Sequence, residues 1–149
     1  MSNKDKPEIG SITWSDLTVP NAEEVKNFYS EIVGWKSVPV PMGDYSDFNM
    51  TAPDSGKTKA GICYKSGGNS DFPAQWLIYI TVKSADESAE LCEKKGGKVL
   101  VGPNEMSGYG KYCIIKDPAG AVCARAIYPA AGPEAVPRFR CAGPRRSGW

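Results

Sequence analysis

Two stretches of the chain alternate in residue character with period two and then switch to apolar spacings of three and four. That pattern predicts a strand followed by an amphipathic helix in each. In the first, residues 12–19 (ITWSDLTV) form the strand. Pro20 and Asn21 are turn chemistry, Asn21 is placed to cap a helix, and Glu23 and Glu24 sit in the first turn, where the helix dipole favours negative charge. Val25, Phe28, Tyr29, Ile32 and Val33 then draw one apolar stripe that Gly34 ends. The second stretch runs as strand 77–82, polar residues 83–87, and a helix through Ala89 and Cys92 to Gly96 and Gly97. A slide of 63 positions pairs Thr18 with Thr81, Val19 with Val82, Ala22 with Ala85, Glu24 with Glu87 and Gly34 with Gly97. These matches are few, and the repeated order of elements is the stronger sign of duplication.

The remaining patterns complete two units of the same plan. After the first helix, strands are predicted over 35–40, 45–51 and 59–64, separated by turns at Gly43-Asp44 and at residues 52–56. Pro39 confines the first of these to an edge or a strand end. After the second helix come a strand over 98–101, a loop over 102–110, a strand over 111–116, the tight turn Asp117-Pro118-Ala119-Gly120 and a last strand over 121–128. The loop is a candidate lid. The organisation read from the chain is a polar leader over 1–10, a first βαβββ module over 11–66, a linker over 67–75, a second βαβββ module over 76–128, and a Pro/Gly/Arg-rich tail over 129–149.

Composition narrows the chemistry. A hydrophobic share of 41% and a charged share of 23% describe an ordinary globular protein, and a net charge of +1 provides no field to recruit nucleic acid or an anionic membrane. With no long apolar run and no signal-peptide core at the start, the expected location is cytoplasmic. The five cysteines are widely spaced with no Cys-x-x-Cys, and read as small buried residues in a reducing compartment. The chain contains no histidine. That excludes Ser-His-Asp and Cys-His catalysis, imidazole proton shuttles and every His-ligated metal site.

Phe28-Tyr29 followed by Gly34-Trp35, then residues 96–99 (GGKV), then Asp117-Pro118-Ala119-Gly120 before the closing strand, set on a duplicated βαβββ plan, resemble the vicinal oxygen chelate superfamily of glyoxalase I, extradiol dioxygenases and bleomycin resistance proteins. The resemblance covers about residues 10 to 128. It implies an α+β fold in which two βαβββ modules form a curved mixed-sheet cup with helices outside and a ligand cavity within. It also implies a homodimer. Metal-dependent members hold one divalent ion with histidines on the first strand of each module and glutamates on the last strands. Carried over by register, those positions are Trp14, Leu77 or its neighbour Trp76, Ala124, and a residue near Ile62 or Cys63. None belongs to the usual ligand set, so no metal and no cofactor are expected, and the superfamily's usual Lewis-acid reaction is not.

If Leu17 and Val19 face the helices, Trp14 and Asp16 face the cup, with Leu77 and Tyr79 opposite. Phe48, Met50 and Tyr112, and also Tyr45, lie on segments able to add to the chamber. The expected ligand-binding set is therefore Trp14, Asp16, Phe48, Met50, Trp76, Leu77, Tyr79, Tyr112 and Ala124, an aromatic wall for a flat small molecule. Asp16 is the candidate catalytic residue, because a carboxylate on an apolar strand is costly to bury unless satisfied. It pairs structurally with Tyr79 or Lys116, binds a ligand amine or hydroxyl, or acts as a general base. The leading reading is a metal-free small-molecule-binding protein without nucleic-acid or membrane partners. The alternatives are a lyase, isomerase or dioxygenase-like enzyme with an unorthodox metal site or acid-base chemistry at Asp16, and a protein interaction module whose cup is filled by its own side chains.

Overall fold

The computed structural model describes residues 7–66, 70–106 and 110–126 of the 149-residue chain. Among them are eight strands and two helices, in the order β1 (Ile12–Val19), α1 (Ala22–Val33), β2 (Lys36–Pro41), β3 (Ser46–Thr51), β4 (Thr58–Tyr64), β5 (Trp76–Thr81), α2 (Ala85–Lys94), β6 (Lys98–Met106), β7 (Gly110–Lys116) and β8 (Val122–Ala126). This is the α+β class, with βαβββ order occurring twice and parallel and antiparallel pairs mixed in the sheet. No helix among the described residues is long and apolar enough to cross a membrane.

The chain divides into two compact units, and the division falls inside β1. Among the described residues, module one is 15–76 and module two is 77–126 together with 7–14. In module one the strand order is β2-β3-β4-β1, with β4 antiparallel to β3 and parallel to β1. Leu17, Val19, Phe48, Met50 and Ile62 pack with Ala22 at the start of α1, and Val25, Tyr29 and Trp35 close around them. The α1 stripe is thus split. Val25 and Tyr29 reach the core, whereas Phe28, Ile32 and Val33 stand 54%, 60% and 50% exposed. Asn21 does not cap the backbone as its position suggests; its side chain donates to Glu24 Oε2 at 3.0 Å instead. Gly34 ends the helix at φ 84, a left-handed conformation in which a Cβ would be strained.

In module two the order is β5-β8-β7-β6, with β5 parallel to β8. Ala89 and Cys92 of α2 pack on Cys113 and Ile115 of β7, flanked by Val99 and Cys123. Ser84 caps α2 by accepting from the Glu87 amide at 3.2 Å. The segment before β1 joins this unit through a bulge. The Gly10 amide donates to the Thr81 carbonyl, the Thr81 amide donates to the Ser11 carbonyl, and Gly10 has φ 91. The loop expected from Gly102 is largely a strand. β6 continues through Met106, with Asn104 opposite Tyr112 and Glu105 opposite Lys111, and irregular register around Gly102-Pro103. Only residues 107–109 of the candidate lid fall outside the described residues, as do the last strand's expected end at 127–128 and the whole tail. The Asp-Pro-Ala-Gly turn is held by Asp117, whose Oδ1 accepts from the Ala119 and Ala121 amides at 2.8 and 3.0 Å.

Candidate functional site

Strand parity gives each module one face packed on its helix and one face turned away. In module one Leu17 and Val19 take the helix side, so Asp16 and Thr18 lie on the other. Cross-strand partners extend that face into two rows. Asp16 is level with Gly61 and Gly61 with Asn49; Thr18 is level with Cys63, and Asp47, one residue before Phe48, continues that row. Asp16 and Thr18 are 1% exposed and Asp47 4%. The Asp47 carboxylate accepts from the Tyr64 amide through Oδ1 at 2.8 Å. Burial nevertheless pushes its pKa from 3.8 up to about 6, because one backbone hydrogen bond does not replace the hydration lost.

In module two the side turned away from α2 carries Leu77 and Tyr79 on β5, Ala124 and Ala126 on β8, and Tyr112 and Ile114 on β7. Tyr79 is level with Ala124, Ala124 with Ile114, and Ala126 with Tyr112. All six are at most 1% exposed. Arg125, on the opposite side, turns to α2 and donates to Ser88 Oγ at 2.6 Å. Four of the expected ligand residues, Leu77, Tyr79, Tyr112 and Ala124, therefore share one face.

The remaining candidates divide. Asp16 belongs to module one and Trp14, two residues earlier and 4% exposed, to the other unit. Phe48 and Met50 lie under α1, on the side of module one away from Asp16, because pairing with Ile62 and Ala60 puts them in the helix-side row. Tyr45 likewise packs edge-on against Tyr64, a partly buried neighbour of that core, at 5.7 Å between centroids. Trp76 packs against Tyr29 and Trp35 at 5.3 and 5.9 Å, and its indole N–H donates to Tyr29 Oη at 3.0 Å. Phe48, Met50 and Trp76 thus pack with the α1-side core of module one.

Sequence reasoning passed over Thr18 and Asp47. Thr18 follows Asp16 by two and shares its parity, a signal that was available; Asp47 gave none until the β3 register was known. The cysteine reading also needs correction. Cys92, Cys113 and Cys123 are free thiols, but Cys63 is disulfide-bonded. Burial, first of all, pushes the Cys113 thiol up to about 11 and raises Cys123 too, so neither is a ready nucleophile.

The positions that correspond to the superfamily's metal ligands do not fit a divalent ion. Leu77 and Ala124 offer no donor atom, the Trp14 indole nitrogen is a hydrogen-bond donor only, and the Cys63 sulfur is committed to a disulfide. Among the described residues no three His, Cys, Asp or Glu side chains group so as to hold a metal. The family model "Glyoxalase/Bleomycin resistance protein/Dioxygenase superfamily" matches residues 9–123.

The chain belongs to this superfamily.

Within the superfamily, the anthracycline biosynthesis protein DnrV of Streptomyces peucetius is 28% identical over 130 residues, covering 77% of this chain and 46% of DnrV. The chain spans about half the length of the curated relatives it matches. Among solved structures, the methylmalonyl-CoA epimerase of Streptomyces coelicolor matches with a TM-score of 0.53 and 13% identity, over 84% of this chain and 99% of that one. An extradiol ring-cleaving dioxygenase from B. fuscum matches with a TM-score of 0.52 and 14% identity, over 85% of this chain and 35% of that one. At such identities the likeness concerns the fold alone.

Proposed function

We propose that this chain is a binding protein of the glyoxalase/bleomycin-resistance superfamily that takes a small, partly aromatic molecule without the superfamily's metal. The observation that carries the reading is the face of module two, where Tyr79 and Tyr112 sit among Leu77, Ile114 and two alanines. In this reading a flat ligand stacks on the rings over the small residues, each such contact contributing roughly 0.5–1.5 kcal/mol beyond burial. The relation to a protein named for anthracycline biosynthesis makes fused-ring compounds the first to try. The same reading makes the protein a homodimer.

The test is a titration of the full chain with a panel of flat aromatic compounds, an anthracycline among them, followed by tryptophan fluorescence. Tyr112→Ala is expected to weaken binding about tenfold while the fold persists by circular dichroism. If no panel member binds, or if Tyr112→Ala binds as the wild type does, the reading fails.

A second reading, in which these faces are filled and the protein works through its surface, is favoured by the near-complete solvent exclusion of Tyr79 and Tyr112. Native mass spectrometry separates the two: a co-purified small molecule supports the first, and a co-purified macromolecule without one supports the second. Acid-base chemistry at Asp16 remains the enzymatic alternative, and a pH–rate profile abolished by Asp16→Asn would establish it.

A further inference from the structure

We infer that Cys141 is the partner of Cys63, and that this bond ties the basic segment around Cys141 over the acidic face of module one turned away from α1. The chain has five cysteines. Cys92, Cys113 and Cys123 are free thiols and Cys63 is disulfide-bonded, so the cysteine left to pair with it within the chain is Cys141. Distance is no obstacle. From Ala126, the end of β8, an extended chain as long as that leading to Cys141 spans up to about 50 Å. A domain of about a hundred residues has a radius of gyration of only about 13 Å, so such a connection reaches any point of its surface.

The place of Cys63 decides what the segment covers. Cys63 is level with Thr18 on β1, while its neighbour Ile62 lies in the α1-side core, so its sulfur belongs to the face that carries Asp16, Thr18 and Asp47. α1 packs on the opposite face. Even so, Cys63 is 0% exposed, Asp16 and Thr18 are 1% and Asp47 is 4%, and Asp16 and Asn49 hold interactions of their own. A sheet face without a helix of its own is shielded from water only where other chain lies on it. A disulfide rooted in that face requires part of this cover to carry a cysteine, because bonded Cα atoms stand at most about 7 Å apart. Charge agrees with the assignment. The face holds two carboxylates, Asp16 and Asp47, while Arg138, Arg140, Arg145 and Arg146 stand within five residues of Cys141. Arginine is the cation best suited to pair with carboxylates away from water.

The bond is then a redox latch. A dithiol opens it by exchange: its two thiols lose two electrons and close to a disulfide, and Cys63 and Cys141 each gain an electron and a proton to become thiols. Oxidising conditions keep the face covered, and reducing conditions leave the segment held by charge alone. The tyrosine face of module two takes no part.

The experiment begins with the full chain, its free thiols blocked with N-ethylmaleimide and its peptides mapped by mass spectrometry without reduction. A linked Cys63–Cys141 pair is expected, from a chain that migrates as a monomer on a non-reducing gel. Wild type reduced with dithiothreitol, and separately Cys141→Ser, are then treated with iodoacetamide. In both, Cys63 is expected to be alkylated in the native protein within about tenfold of its rate in urea, while Cys113, also 0% exposed but beneath α2, stays protected. Cys63 found free, linked to another cysteine, or linked between two chains overturns the pairing. A Cys63 as protected as Cys113 in both preparations overturns the cover. None of these readouts uses a flat ligand, so failure of the aromatic titration and failure of the latch are told apart.

Discussion

Asp47 is the residue whose burial has the clearest measurable consequence. Its carboxyl is raised from 3.8 to about 6 by desolvation, against the lowering effect of the Tyr64 amide. Below about pH 3 the group is protonated in both folded and unfolded chains and contributes no pH dependence. Between about 4 and 6 the folded chain keeps a proton that the unfolded chain has released, so stability falls as pH rises through that window. Above it the ionised, buried group costs on the order of 3 kcal/mol. Asp47→Asn keeps an oxygen for the Tyr64 amide and removes the charge. Urea denaturation is expected to show the variant more stable by about that 3 kcal/mol at neutral pH and nearly level with the wild type near pH 3. A constant difference across this range would mean that Asp47 does not titrate as its burial demands. Nothing in a tripeptide Ser46-Asp47-Phe48 announces this behaviour, since an aspartate beside a turn is usually solvated.

Among the elements, the passage from α2 into β6 depends on Gly97. A Cβ there would lie 2.6 Å from Cys92 Sγ, 2.9 Å from the Lys116 carbonyl oxygen and 3.2 Å from the Cys92 carbonyl oxygen. Two of the three obstacles are backbone and cannot rotate away. Gly97→Ala is therefore expected to destabilise the protein by about 1–3 kcal/mol, read as a lower urea midpoint with unchanged slope. A shift within error would show that β7 and α2 move apart easily. Gly97 was read from the chain as a helix stop, and its actual role is close approach between elements. The apolar stripe of α1 shows a related limit. Its period was correct, but a single sheet face covers only Val25 and Tyr29, leaving Phe28 and Ile32 outside. Likewise, Gly102-Pro103 looked like the start of a loop, yet β6 carries the irregularity as a break in register and pairs with β7 again at Asn104. Local turn chemistry was overridden by the hydrogen-bonding groups that β7 presents.

For the molecule as a whole, stability should not depend on a bound divalent ion, because the corresponding positions hold Trp14, Leu77 and Ala124. Thermal melting of the purified chain is expected to be the same before and after exhaustive treatment with a chelator. Were a structural metal present, its removal would lower the midpoint by several degrees, since each 1 kcal/mol of linkage is worth about 2–8 °C for domains of this size range. The order of elements, the duplication, and the absence of histidine with the chemistry it forbids were all determined by the chain read alone. Periodicity and residue identity are local properties and survive without knowledge of neighbours. Which face a side chain joins was decided only in the folded protein. Phe48 and Met50 went under α1, and Asp47 onto the face of Thr18, because the pairing of β3 with β4 sets parity across the sheet. Solvent exclusion of Asp16 and the tyrosines was decided there too, since burial is produced by chain segments far apart in sequence coming together.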